Sequence, residues 1–192
     1  PADGRGRRRR SPTSAGAGAD ADKRISAGVP AGRRPRDRAA VGVDPDVCLV
    51  DPTPPDPRLR SLRTWEPGHT APRVAVEVVS LDTAHKDYNQ GPEKYALSGT
   101  RELWVFDPLR LGPHDDGGPW VLQVWRRTAK GSFRRVYQGD GPAFSRELGA
   151  WLVVTDGGTT LRIANDRDGR DLWPTREEVA AAPRGALELP RR

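Results

Sequence analysis

The run Arg73-Val-Ala-Val-Glu-Val-Val79 constrains the fold more than any other part of the chain. It is apolar at nearly every position instead of alternating, which is typical of a strand covered on both faces. A second buried strand is indicated by Glu102-Leu-Trp-Val-Phe-Asp107. Between the two runs, Pro92 suits the first turn of a helix and Gly99 suits its end. The pattern predicts an α/β fold with a short helix over roughly 92–98.

Shorter elements flank these strands. Asp46-Val-Cys-Leu-Val50 predicts a short buried strand, and residues 51–72 form a Pro-rich loop that is long for a compact domain. Near the end, Thr175-Arg-Glu-Glu178 is a capping box that opens a helix. We therefore expect a mixed central sheet flanked by helices, with an antiparallel hairpin extension. The predicted hairpin segments are 119–127 with 133–138, and 151–154 with 160–163.

The basic charge of the chain belongs to its first 40 residues. They hold 11 of the 32 Lys and Arg residues and 4 of the 26 Asp and Glu residues, a net charge of +7, which leaves a net charge of −1 for residues 41–192. A strongly basic domain would favour nucleic acid by its charge alone, and this domain does not. Because residues 1–40 have almost no large apolar side chain, they predict a disordered tail. Residues 41–192 are the expected domain.

Composition also bears on location. The single cysteine, Cys48, excludes an internal disulfide framework and a zinc site built from cysteines. No run of about 18 apolar residues is present, so no association with a membrane is expected, and a reducing, cytoplasmic setting fits. The chain starts at Pro1 and contains no methionine, from which we expect a fragment or a misassigned start.

Glu77 is the polar exception in the strongest strand. A carboxylate in such a position is costly unless it is paired, hydrogen-bonded or bound to a metal. One interpretation is a structural salt bridge to Arg73 or Arg101. The other is a site that needs a buried carboxylate.

Asp46 supplies a second carboxylate, because it opens a strand expected to lie beside that of Glu77. Two carboxylates from adjacent strands, with a backbone carbonyl such as that of Val78, would form a hard-oxygen site that suits Mg²⁺. Asp44 and Asp51 compete with Asp46. Asp51 is five positions away, which places it on the other face of a regular strand, and Asp44 has the right parity but lies outside the expected strand.

Further motifs follow Asp46 and Glu77 in a specific order. The full set is Pro45-Asp46, Glu77-Val78-x-Ser80, Asp87, Tyr95, Gly99 and Glu102-x-Trp104-x-x-Asp107-Pro108. This order and spacing resembles the PD-(D/E)xK nuclease superfamily and, more closely, its Uma2 family of restriction-endonuclease-like proteins, over about residues 41–178. The resemblance implies a restriction-endonuclease-like central sheet.

The lysine of the superfamily is replaced in this chain. Its position two residues after Glu77 is Val79, and the slot on the following helix where the family often carries a lysine is Gly91. Lys94 and Lys86 are the nearby substitutes. The resemblance implies a lysine that neutralises charge developing on the phosphate or orients the attacking water, and we assign this role to Lys94.

The resemblance implies a metal-dependent endonuclease that hydrolyses nucleic-acid phosphodiester bonds, with DNA as the expected partner. Asp46, Glu77 and the Val78 carbonyl would hold Mg²⁺ or Mn²⁺, and Asp46, Glu77 and Lys94 would be catalytic. A homodimer is left open. Family members usually begin with a helix and a strand that carry a further glutamate and a histidine, and residues 1–40 contain no such segment. The alternative is therefore a truncated, catalytically inactive domain of the same fold that binds nucleic acid or a partner protein.

Overall fold

The computed structural model of the protein describes residues 25–27, 41–54, 56, 61–64, 66–82, 84–114 and 117–182. Within these ranges, no helix combines the length and the apolar character needed to cross a bilayer. The strands are β1 Ile25–Ala27, β2 Val41–Val43, β3 Val47–Leu49, β4 Leu62–Arg63, β5 Val74–Val78, β6 Glu102–Phe106, β7 Leu122–Arg127, β8 Phe133–Gly139, β9 Ala143–Ser145, β10 Ala150–Thr155 and β11 Thr160–Ala164. The α-helices are α1 Ala84–Asn89, α2 Gly91–Ser98 and α3 Arg176–Ala181, and a short 3-10 turn covers Asp156–Gly158.

Five strands form the central sheet, in the order β3-β5-β6-β7-β8. β5 and β6 run parallel, with Val74 opposite Glu102, and the other neighbours are antiparallel. A parallel pair needs a crossover connection, which α1 and α2 provide. The predicted mixed α/β fold is confirmed and is consistent with a restriction-endonuclease-like fold. The β7–β8 hairpin extends one edge of this sheet.

Both faces of the central sheet are covered, which explains the apolar character of β5 and β6. Ala75 and Leu103 pack with Tyr95 of α2 on one face. Val74 and Trp104 pack on the other face, against the sheet of β9, β10 and β11. Because successive side chains of a strand point to opposite faces, the residue two positions after Ala75 points to the face covered by the helix. That residue is Glu77.

The helices follow local sequence signals to different extents. α2 has Pro92 in its first turn, and it ends at Gly99, whose φ of 88° lies in the left-handed region that favours glycine. The capping box of α3 forms as predicted, with the Thr175 side chain and the Glu178 side chain each accepting a backbone N–H of the other residue. The sequence predicted no helix at Ala84–Asn89, where α1 contacts α2.

Strand β3 is exposed, so the prediction of a buried strand was wrong. Val47 is 60% exposed and Leu49 is 39% exposed. The reason is position: β3 lies at the edge of the central sheet and pairs only with β5 among the described strands. An apolar run does not by itself distinguish an edge strand from a central strand.

Two three-stranded sheets accompany the central one. β10 and β11 join β9 in a separate sheet instead of extending the central sheet, and β1 pairs with β2 and β4 in the other. β1 therefore places Ile25–Ala27 in a strand, inside the segment for which the sequence predicts disorder. The rest of residues 1–40 lies outside the described residues, and the domain boundary at residue 41 stays a prediction.

Candidate functional site

Asp46 and Glu77 come together because β3 and β5 are antiparallel neighbours. Val47, the first residue of β3, pairs with Val76 in this ladder, so Asp46 and Glu77 each adjoin that pair. The two acidic residues, distant in sequence, thus come near each other where β3 begins and β5 ends, and the charge of Asp46 acts on Glu77.

The Asp46 carboxylate is held by the backbone of β5. The N–H of Val78 donates to Oδ2 of Asp46 at 2.7 Å. Asp46 is exposed, and a carboxylate has about four lone-pair sites, so this bond leaves it able to accept a ligand. The N–H and C=O groups of one residue project to the same side of an extended strand. The Val78 carbonyl is therefore directed toward the β3 side as well.

Glu77 is buried, at 5% exposure, and the Tyr95 hydroxyl of α2 donates to its Oε1 at 2.6 Å. Burial raises the pKa of the Glu77 carboxyl to about 7, and the negative charges of Asp87 and Asp46 act in the same direction. The hydrogen bond from Tyr95 and the positive charge of Lys86 lower this pKa and offset part of the rise. In the absence of a cation, Glu77 therefore changes its charge near neutral pH.

An open pocket of about 330 Å³ gives access to Glu77. It lies between the segment around β2 and the two helices that follow β5. The residues that line it are Gly42, Val43, Asp44, Glu77, Lys86, Gly91, Lys94 and Tyr95. A small polar or charged group can therefore approach the buried carboxyl from solvent.

The two candidate lysines both line this pocket, but they are placed differently. Nζ of Lys94 donates to Oε1 of Gln90, one helical turn earlier, at 2.8 Å. Lys86 is exposed on α1, and its charge acts on Glu77. The structure thus places Lys94 at the rim with a local partner, and its catalytic assignment stays a prediction.

Asp44 and Asp51, the alternatives to Asp46 as a ligand, lie in different surroundings. Asp44 lines the pocket, just before the turn that leads into β3. Asp51 follows the other end of β3, where it pairs with Arg73 at 3.1 Å. Asp44 is therefore an additional negative charge at the pocket, whereas Asp51 belongs to a different environment.

The salt bridge considered for Glu77 is not formed with either arginine. Nε of Arg73 pairs with the Glu147 carboxylate at 3.0 Å, and the guanidinium of Arg101 lies 3.7 Å from the same carboxylate. Glu77 instead has a neutral donor, the Tyr95 hydroxyl. A buried carboxyl with one neutral donor keeps most of its desolvation cost.

The roles of Tyr95 and Asp87 at the site are findings of the structure. Both residues belong to the motif set. That pattern does not show that the Tyr95 hydroxyl reaches Glu77, or that Asp87 lies close enough to Glu77 to raise the pKa of Glu77. Asp87 is 2% exposed. One signal in the sequence could have indicated Tyr95 as a partner of Glu77. The positions of residues around a helix predict which side chains face the sheet, and Tyr95 is on the buried side of the helix that follows Pro92.

Two other acidic motif residues have structural roles. Glu102 is fully buried and accepts hydrogen bonds from Trp104 Nε1 at 2.7 Å, Ser145 Oγ at 2.6 Å and Arg126 Nε at 3.1 Å. Asp107, at the end of β6, accepts one bond from a tyrosine hydroxyl and one from a backbone N–H. These two carboxylates hold strands and loops together and are not part of the pocket over Glu77.

The donor set fits a small hard cation. Over the described ranges, no group of three or more His, Cys, Asp or Glu side chains is arranged to hold a metal ion. Mg²⁺ does not need such a cage, because it is usually bound by one or two carboxylates and keeps several waters. Asp46 and Glu77, with the Val78 carbonyl, would supply oxygen donors of this kind, and their assignment as ligands stays a prediction.

Comparison with known proteins gives one family. The model of the Uma2 family, described as "Putative restriction endonuclease", matches residues 20–136. This match covers more than half of the 192 residues, and it includes the strands and helices that carry Asp46, Glu77 and Tyr95. No match was found among curated proteins.

Proposed function

The chain belongs to the Uma2 family, whose name indicates an endonuclease, and from this premise we propose that it is a metal-dependent endonuclease acting on DNA. The reaction is the hydrolysis of a phosphodiester bond. Asp46 and Glu77 would hold the metal, and Lys94 would assist.

The observation that carries the proposal is the convergence of Asp46 on the residue after Glu77. The 2.7 Å bond from the Val78 N–H fixes the Asp46 carboxylate at the end of β5. The ladder pair of Val47 and Val76 adjoins both acidic residues, and the charge of Asp46 acts on Glu77. A cation shared by the two carboxylates and the Val78 carbonyl would fit this arrangement.

The energetics of Glu77 give a reason for such a cation. Burial of Glu77 disfavours its charged carboxylate, and the neighbouring charges of Asp46 and Asp87 add to that cost. The hydrogen bond from Tyr95 offsets part of the cost. A bound divalent cation would favour the ionised form, so metal binding would remove a cost that the metal-free protein has.

Mg²⁺ or Mn²⁺ is the cation that suits these donors, since both prefer carboxylate, carbonyl and water oxygens. Bound there, such a cation supplies Lewis-acid stabilisation of the charge that develops on a scissile phosphodiester. The remaining roles belong to the chain. Tyr95 fixes the orientation of Glu77 through its 2.6 Å hydrogen bond.

A lysine near the phosphate would favour the transition state by its positive charge. Lys94 is the assigned residue, and release from Gln90 would free its ammonium group for this role. Lys86 is the second candidate, because it lines the same pocket and already acts on Glu77. DNA as the substrate, a cytoplasmic location and a homodimer are parts of this proposal that rest on the sequence interpretation.

Plasmid cleavage with and without Mg²⁺ or Mn²⁺ tests the proposal. We expect metal-dependent nicking by the wild type and a loss of at least about 100-fold in Glu77→Gln and in Asp46→Asn. Asp51→Asn is the matched control, since Asp51 is also an aspartate next to β3 but pairs with Arg73. It should retain activity. Equal cleavage by the wild type and Glu77→Gln would contradict the proposal.

Calorimetry with Mn²⁺ separates an enzyme from an inactive module of the same fold. Heat that is lost in Asp46→Asn and kept in Asp51→Asn would establish the metal site. If that heat is present but plasmid DNA, linear duplexes and single-stranded RNA all remain intact, the endonuclease proposal fails.

The role of a lysine in the pocket is tested by Gly91→Lys. A Cβ atom at this position would meet only the carbonyl oxygen of Lys86, at an ordinary contact distance of 3.8 Å, and Gly91 lines the pocket over Glu77. The variant restores a lysine at the position where the family often has one, and it should increase metal-dependent plasmid cleavage. Unchanged cleavage would contradict a role for positive charge at this place.

A further inference from the structure

A second pocket, of about 280 Å³, opens at the other end of the central sheet. One of its residues, Glu102, pairs with Val74 at the start of β5, three residues before Glu77. At about 3.3 Å per residue, Val74 and Glu77 are about 10 Å apart along β5. We name this pocket the arginine cleft. It is lined by Arg101, Arg126, Arg127 and Arg146, together with Glu102 and Glu147.

Both carboxylates of the arginine cleft are engaged inside the protein. Glu102 is fully buried and accepts hydrogen bonds from Trp104 and Ser145 as well as from Arg126. Glu147 pairs with Arg73, which does not line the cleft, at 3.0 Å. The four arginines therefore outnumber the two acids, and one of those acids is already balanced from outside.

Two of the arginines are held in place by backbone carbonyls. Arg126 donates to the carbonyl of Phe144, and Arg127 donates to the carbonyl of Ala96 near the end of α2. The Ala96 carbonyl also accepts the backbone N–H of Gly99, so this contact places Arg127 at the end of α2. A guanidinium has five N–H donors in a fixed plane. Each of these arginines therefore keeps donors for a ligand while its position is set by the fold.

The other two arginines provide exposed cations. The side chain of Arg101 is 61% exposed, and its ion-pair partner Glu147 is 3.7 Å away. Arg146 is exposed, and its guanidinium makes no hydrogen bond or ion pair with any residue in the described ranges. The cleft thus combines two positioned guanidinium groups with two that are available to solvent.

The positive charge continues from the arginine cleft along the β7–β8 hairpin. Residues 122–139 contain five basic residues and no acidic residue. Arg126 lies directly opposite Arg134 in the ladder. The charge of Arg126 is paired with Glu102, so Arg134 adds a positive charge to this ladder that an anion can contact.

We propose that the arginine cleft and the adjoining hairpin bind the phosphodiester backbone of nucleic acid, at a position separate from the candidate metal site. Planar guanidinium groups bind phosphate oxygens through paired N–H bonds. A track of charge that extends beyond one pocket matches a chain of phosphates better than a single small anion. Because backbone contacts position a duplex without reading its sequence, the cleft would hold DNA of any sequence. The inference rests on the proposed function only in taking nucleic acid as the polyanion.

Fluorescence anisotropy with a labelled DNA duplex, in EDTA and with the full chain, tests this inference. The variant Arg101→Ala/Arg146→Ala removes two exposed arginines that the fold does not need for a helix end or for Glu102. We expect weaker binding for every duplex sequence, and a slope of log Kd against log salt that is smaller by about two, since each phosphate contact contributes about 0.9. Residues 1–40 are identical in all variants, so any contribution of the basic tail is constant.

Matched variants make the result specific. Arg170→Ala/Arg176→Ala removes the same charge from exposed positions outside the cleft and should bind like the wild type. Binding is measured in EDTA and needs no cleavage, so failure of the cleft and failure of the nuclease proposal are distinguishable. An unchanged affinity and salt slope in Arg101→Ala/Arg146→Ala would overturn the inference, as would an equal loss in the control. So would a loss confined to binding of inorganic phosphate, which would indicate a small-anion site instead.

Discussion

Replacing Glu77 by glutamine should change how the stability of the metal-free protein depends on pH. The substitution removes a titrating group that is 5% exposed and keeps an oxygen that can accept the hydrogen bond from Tyr95. The shape of the side chain is nearly unchanged. Any pH-dependent difference between the two proteins therefore reports the cost of ionising Glu77 inside the fold.

The magnitude follows from the shift in pKa. Burial raises the pKa of Glu77 from 4.5 to about 7, and one pKa unit corresponds to about 1.4 kcal/mol. The folded state thus binds the proton more tightly than the unfolded state by about 3 kcal/mol. Because the folded-state pKa is the higher one, this stabilisation is fully present below about pH 4.5 and is lost as the pH rises through about 7. The free energy of unfolding of Glu77→Gln minus that of the wild type should therefore rise by about 3 kcal/mol between pH 4.5 and 8.

Urea denaturation in EDTA at a series of pH values measures this difference, with the fluorescence of the six tryptophans as the signal. All other titrating groups are common to both proteins, so their contributions cancel. Glu93→Gln, an exposed substitution on α2, is the matched control and should follow the wild-type profile. A difference for Glu77→Gln that is constant across the pH range would refute the reasoning.

Three other predictions concern the same residues and their supports. Tyr95→Phe removes the donor to Glu77, and it should lower the free energy of unfolding by about 1–2 kcal/mol and move the midpoint of the pH effect upward, both measured by the same denaturation series. Mn²⁺ affinity should fall about tenfold per pH unit below about pH 7, because protons compete for Glu77; calorimetry at several pH values checks this, and a flat profile would exclude Glu77 as a ligand. Glu102→Ala leaves Arg126 and Trp104 without their buried acceptor and should lower the free energy of unfolding by about 3–5 kcal/mol, measured by urea denaturation, with Mn²⁺ affinity retained while the protein stays folded.

The parts of the fold that were predicted correctly depend on strong local signals. The apolar runs of β5 and β6 are covered on both faces, and Pro92 and Gly99 mark the start and end of α2. The neighbourhood of Asp46 and Glu77 could be predicted because a short apolar run follows Asp46 and pairs with the strand of Glu77.

The parts that were missed depend on tertiary contacts. The exposure of β3 follows from its place at the edge, which no property of Val47 or Leu49 reveals. The sequence of α1, with histidine, aspartate, tyrosine and asparagine, has weak helix propensity, and its contact with α2 supports it. The partner of Glu77 is 18 residues away on α2, so the pKa shift that the pair produces could not be read from either segment alone.

The edge position of β3 affects how stably Asp46 and Glu77 are held together. β3 has three residues, exposed side chains and one described neighbour, whereas Glu77 lies in a strand enclosed by both cores. Local opening of a peripheral segment costs less free energy than unfolding of the whole domain. Fraying of β3 would therefore withdraw Asp46 while Glu77 and Tyr95 stay in place. The two carboxylates belong to units of different stability, and amide exchange at Val78, whose N–H is bound to Asp46, would report how often they separate.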